Sequence, residues 1–111
     1  MIVYRIVSEE EWRDASAAGS YRGSDHDRRD GFIHLSSAAQ AAETAAKHYA
    51  GRKGLLLLAV DPSLLPVPLK WEPSRGGALF PHLYADLPAA AVVRVDALPL
   101  DGDGRFVFPA L

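Results

Sequence analysis

Apolar and polar positions alternate from the first residues. Residues 2–7 (IVYRIV) are β-branched or aromatic apart from one arginine and predict a strand. Alternation puts Val3, Arg5 and Val7 on one side and Ile2, Tyr4 and Ile6 on the other, so Arg5 is the odd residue on its face. Ser8 followed by Glu11 is a capping-box pattern, and Trp12, Ala15 and Ala18 continue at helical spacing until Gly19, which predicts a short helix. Residues 20–30 (SYRGSDHDRRD) are nearly all polar and read as a loop, with His26 a solvated surface group between two aspartates.

Residues 31–36 (GFIHLS) predict a second strand. Ser37 with Gln40 repeats the capping box, and the alanine-rich residues 38–50 form a helix that Gly51 stops. Residues 54–60 are an unbroken apolar run of the kind buried on both faces of a sheet. Four prolines in residues 61–73 exclude a helix interior and suit turns and an edge strand, and residues 74–78 read as a flexible loop. FPHLY (residues 80–84) fits a strand or, with Pro81, a turn or bulge as easily; residues 91–98 follow as a strand, and residues 105–108 as a last strand folding back in a hairpin. Five to six strands with two helices, both in the N-terminal half, predict a single small α+β domain over residues 1–111 with a mostly antiparallel sheet.

Composition removes several classes of function. With 12 basic and 14 acidic residues the net charge is −2 and no helix-length stretch is basic, so nucleic acid is not the expected standing partner. The absence of cysteine excludes disulfides, thiolate metal sites and a cysteine nucleophile. The N-terminus lacks the basic and apolar regions of a signal peptide, and the longest apolar run, residues 55–60, is far too short to span a membrane. A cytoplasmic protein without a membrane partner is expected.

The candidate chemistry sits in the two histidine-centred segments. Extended, they turn Phe32, His34 and Ser36 to one face and Phe80, His82 and Tyr84 to another, and each face carries polar tips that need partners when buried. Each imidazole meets either a ligand or a buried backbone group. Glu72, held extended between Trp71 and Pro73, is a candidate acid or base, and Gln40 can face the same pocket as Ser36. Free N–H groups at the start of the alanine helix, beside Ser36 and Ser37, favour an anion. Arg22, Arg28, Arg29 and Arg75 suit a phosphate, although a charged loop is usually just solvated. No metal is expected: the histidines are isolated, without HxH or HExxH spacing, and nothing supports a zinc site built from His34, His82 and Glu72 or Asp86. No GxSxG elbow surrounds a serine, and no GxGxxG is present.

The succession of IVYRIV, Trp12, Gly19 and Tyr21, GFIHLS, Gln40, a leucine-rich strand ending in Asp61-Pro62, Glu72 and FPHLY resembles the small bacterial family known as domain of unknown function 952. That family is similar in fold to the ADP-ribosyltransferase superfamily, whose split β-sheet holds NAD in a cleft. The resemblance implies NAD or ADP-ribose as ligand, with Arg5 and Ser36 contacting phosphate or ribose and His34 orienting the sugar or nicotinamide. It further implies that Glu72, His82 and Tyr84 complete the wall, that Phe32, Gln40 and Phe80 contact the ligand, and that His34, Glu72 and His82 carry any catalysis. A non-catalytic module for a nucleotide or small anion is the alternative.

Overall fold

The computed structural model describes residues 1–111, the side chain of Arg75 excepted. In chain order the elements are β1 (Val3–Ser8), α1 (Glu9–Ala18), β2 (Ser20–Tyr21), α2 (Asp25–Asp30), β3 (Ile33–His34), α3 (Ala38–His48), β4 (Leu55–Val60), β5 (Lys70–Pro73), β6 (Leu79–Leu83), β7 (Leu87–Pro88) and β8 (Val92–Ala97). Every strand pairing among the described residues is antiparallel: β1-β4-β8, β3-β6-β5 and the short pair β2-β7. The result is a small α+β domain, and no helix in it is long and apolar enough to cross a membrane.

The central sheet is buried on both sides of β4. Leu58 and Val60 join Val3 and Val7 in one cluster under α1, while Leu55, Leu57 and Ala59 join Tyr4 and Ile6 against Ala41 and Ala45 of α3. Arg5 therefore points into the first cluster beside Val3 and Val7 and is only 8% exposed. Ser8, Ser24 and Ser37 each cap a helix in a reciprocal capping box with Glu11, Asp27 and Gln40. Gly19 and Gly31 stop α1 and α2 in the left-handed region, at φ 89° and 85°, where a side chain would be strained.

Two expectations are corrected. Residues 20–30 are not a loop but β2 and α2, so the described residues hold three helices rather than two. Helix α2 escapes hydropathy because the side chain it buries is a carboxylate, Asp27. The expected C-terminal strand over residues 105–108 reduces to one bridge between Leu100 and Phe106.

GFIHLS joins the two larger sheets. Ile33 and His34 pair with Leu83 and His82, and the Leu35 N–H donates to the Pro81 carbonyl at 3.1 Å. One residue later the strand's other edge meets β1: Ser36 N–H donates to Tyr4 O at 2.9 Å and Tyr4 N–H to Ser36 O at 2.7 Å. Before that point β1 and GFIHLS part, and side chains fill the gap. Arg5 Nη1 donates to the His34 carbonyl at 2.9 Å, and the His34 N–H donates to Asp27 Oδ1 at 3.0 Å. On this edge, away from β6, side chains thus satisfy both backbone groups of His34.

Candidate functional site

The two histidine-bearing faces meet. His34 and His82 are register partners, so neighbouring strands bring their rings to 5.5 Å, edge to face. Phe32 covers them, stacked on His82 at 4.0 Å and tilted against His34 at 4.5 Å and Tyr84 at 5.0 Å. Beside this cluster, where β1 and GFIHLS part, lies a cleft of about 790 Å³.

Arg5, His34, Ser36, Phe80 and His82 line that cleft, so five of the nine residues singled out from the sequence converge on it. Phe32, Gln40, Glu72 and Tyr84 are not among its lining. Gln40 ties α3 to β6 through an Nε2 bond to the Leu79 carbonyl at 2.7 Å. The Ser36 hydroxyl is 3.0 Å from that of Thr44, so one donates to the other. Of the arginines weighed for phosphate, Arg28 bonds Asp25 and the Gly23 carbonyl, and the side chain of Arg75 lies outside the described residues.

His34 and His82 are each held at Nδ1 by a carboxylate. His82 Nδ1 is 2.8 Å from Glu72 Oε1, which also accepts from the Tyr84 hydroxyl at 2.7 Å. Those two hydrogen bonds hold Glu72 below its ordinary pKa. Because an ionised carboxylate only accepts, a proton sits on His82 Nδ1, and Nε2 carries the lone pair whenever the ring is neutral. That Nε2 is buried and has no partner among the described residues, although His82 is only 4% exposed. His34 Nδ1 lies 2.6 Å from Asp27 Oδ1, and its Nε2 lies 2.9 Å from Asp30 Oδ2.

Asp27 is the centre of a network that sequence reasoning missed. Its Oδ1 faces Arg5 Nη1, the His34 N–H and His34 Nδ1, and its Oδ2 faces Arg5 Nη2 at 2.8 Å, the Ser24 N–H and the Ser24 hydroxyl. Arg5 Nη2 also donates to the Tyr21 hydroxyl at 2.9 Å, which donates to Glu11 at 3.2 Å. Burial, opposed by Arg5 and reinforced by Glu11, keeps the Tyr21 phenol well above its ordinary pKa and hence protonated. Both terminal nitrogens of Arg5 are committed, and only its buried Nε lacks a partner. The available signal was Ser24-x-x-Asp27 followed by Gly31, a helix start and stop without an apolar stripe.

Burial alone would push the Asp27 carboxyl up. The hydrogen bond from the His34 ring, the charge and hydrogen bond of Arg5, and the His34 N–H outweigh burial and hold Asp27 well below the usual carboxylate range. A group depressed in the folded state stabilises it above the unfolded pKa, and that contribution fades as pH falls toward the folded value. With a chelator present, the urea midpoint is expected to drop steadily below about pH 4. Asp27→Asn should flatten this acid limb; parallel acid limbs in the two proteins would contradict the linkage.

Beyond these dyads, His26 and Asp30 of α2 approach His34 at the solvent edge of the cleft, giving two imidazoles and a carboxylate the means to hold a cation. A family model described as "Protein of unknown function (DUF952)" matches residues 6–95. The fold is similar to the X-ray crystal structure of protein CC0527 from Caulobacter crescentus, at 50% sequence identity and a TM-score of 0.90, covering 96% of this chain and 94% of that one. A crystal structure of a double mutant of CC0527 gives 50% identity, the same coverage and a TM-score of 0.89. The solution NMR structure of CC0527 gives 52% identity and 0.83, covering 94% and 90%. No match was found among curated proteins.

Proposed function

The chain belongs to the DUF952 family, and from that premise we propose that its cleft binds the ribosyl part of NAD or ADP-ribose, with His82 as the recognising residue. The observation that carries the reading is His82, a residue of the cleft lining whose buried Nε2 has no partner among the described residues. A buried polar atom left unsatisfied costs free energy, and a ribose hydroxyl donates a hydrogen bond to it. The rest of the lining fits such a ligand. Tyr49 and Phe80 offer aromatic surface to a base, Ser36 and Ser74 offer hydroxyls, and Arg52, over the Tyr49 ring, offers a cation to the phosphates. A volume of about 790 Å³ falls within the usual range of small-molecule sites.

In this reading Arg5 positions His34 instead of gripping phosphate, because Asp27 already neutralises it. Glu72 stands on the Nδ1 side of the His82 ring, outside the cleft lining, and acts through that ring. With Glu72 outside the lining, the reading is binding without transfer.

The test is thermal unfolding with excess NAD, ADP-ribose or RNA 2′-phosphate analogues, in the presence of a chelator. At about a hundredfold excess over Kd, ligand adds about 2.7 kcal/mol, a midpoint rise of several degrees. NAD or ADP-ribose is expected to produce that rise in the wild type and not in His82→Gln, each compared with its own ligand-free midpoint, and no nicotinamide should be released. Absence of a shift with both nucleotides would sink the reading; release of nicotinamide would replace binding with catalysis.

A further inference from the structure

His26, Asp30 and His34 follow one another at four-residue intervals across helix α2, the turn at Gly31 and strand β3. The first two share a helix face by their spacing, and the turn brings the third back over them. His26 Nε2 lies 3.6 Å and His34 Nε2 2.9 Å from the same atom, Asp30 Oδ2. One ligand atom from each of the three residues lies within 4.8 Å of the others, and the two imidazoles stack with centroids 4.6 Å apart. Bonds of about 2.0–2.1 Å to a tetrahedral zinc place neighbouring ligand atoms about 3.3 Å apart. The 3.6 and 2.9 Å separations bracket that edge.

We propose that His26, Asp30 and His34 bind a divalent first-row transition cation, with a further coordination position open to solvent at the edge of the cleft. The donor set selects the cation class. Two imidazole nitrogens and one carboxylate oxygen suit Zn²⁺ and its neighbours in the row, whereas Mg²⁺ and Ca²⁺ take all-oxygen sites.

Two observations outside the triad support the site. Asp27, 2% exposed, holds His34 Nδ1 at 2.6 Å, the buried carboxylate behind a histidine that orients metal-binding imidazoles. Asp27 is itself fixed by Arg5, so His34 is set before any ion arrives. His82, which lines the same cleft, has a buried Nε2 without a partner among the described residues. Arg29 Nη2 stands 3.4 Å from His26 Nδ1 on an exposed surface and turns to solvent when that nitrogen carries the ring proton.

The test uses the full chain without a histidine tag, stripped with a chelator and free of nucleotide, titrated with Zn²⁺ by calorimetry and with Co²⁺ by visible absorption. His26 and Asp30 are 63% and 41% exposed, so His26→Ala and Asp30→Asn keep the fold, which an unchanged metal-free unfolding midpoint verifies. The wild type is expected to bind one equivalent of Zn²⁺ saturably, each variant to bind at least about tenfold more weakly, and the Co²⁺ d–d bands to disappear in His26→Ala. No saturable binding by the wild type, or equal affinity in wild type and both variants, overturns the site. The proposal does not rest on the nucleotide reading: zinc binding without a nucleotide shift removes that reading alone.

Discussion

Asp27→Asn is expected to lower the unfolding free energy by about 3 to 5 kcal/mol, the usual cost of removing one partner from a buried ion pair. Arg5 and Asp27 are 8% and 2% exposed, and both carboxylate oxygens face Arg5 nitrogens. Asparagine keeps the shape and loses the charge. It also places an NH₂ where one oxygen now meets only donors: three groups converge on Oδ1 and three on Oδ2. An amide can satisfy one set and must oppose the other. For a chain of this size the loss corresponds to roughly 10 to 20 °C in Tm. A fall under about 5 °C would mean that the pair is only weakly coupled to folding.

Leu58→Ala is the second large effect, at about 2 to 5 kcal/mol. Leu58 is fully buried in the central strand and lies between Arg5 on β1 and Val95 on β8 in the sheet register. Truncation leaves a cavity that close-packed neighbours on both strands fill only partly. Val95, in the same row but 40% exposed, sets the comparison: Val95→Ala should cost below about 1 kcal/mol. Urea midpoints read both effects, with the denaturant slope unchanged if only stability differs. Equal losses for the two substitutions would contradict the burial gradient along this row.

The parts of the fold that bury apolar side chains were legible. The alternation of residues 2–7 placed Arg5 beside Val3 and Val7, the reciprocal caps marked α1 and α3, and the unbroken apolar run identified a strand buried on both faces. The paired faces of GFIHLS and FPHLY were legible one at a time, but their meeting depends on a long-range register that no local pattern encodes. Helix α2 was hidden because SDHDRRD has no apolar stripe, and with it went Asp27, His26 and Asp30, the chemistry nearest to His34. A carboxylate buried by an arginine distant in sequence looks, in hydropathy, like a carboxylate in water. Glu72 was singled out as a candidate acid or base; its pairing with His82, and its position relative to the cleft, depend on which side of that ring it occupies.

Where β1 and GFIHLS part, the sheet is closed by one guanidinium and one carboxylate in place of main-chain amides. A main-chain ladder is nearly indifferent to side-chain identity, so most seams in a sheet survive any single replacement. This seam does not share that insurance. Beyond the main-chain pair of Tyr4 and Ser36, its continuity is written at two codons, and one of them, Asp27, also holds the His34 ring. The joint between the halves of the molecule and the aim of its central imidazole are therefore one inherited trait, unable to drift apart.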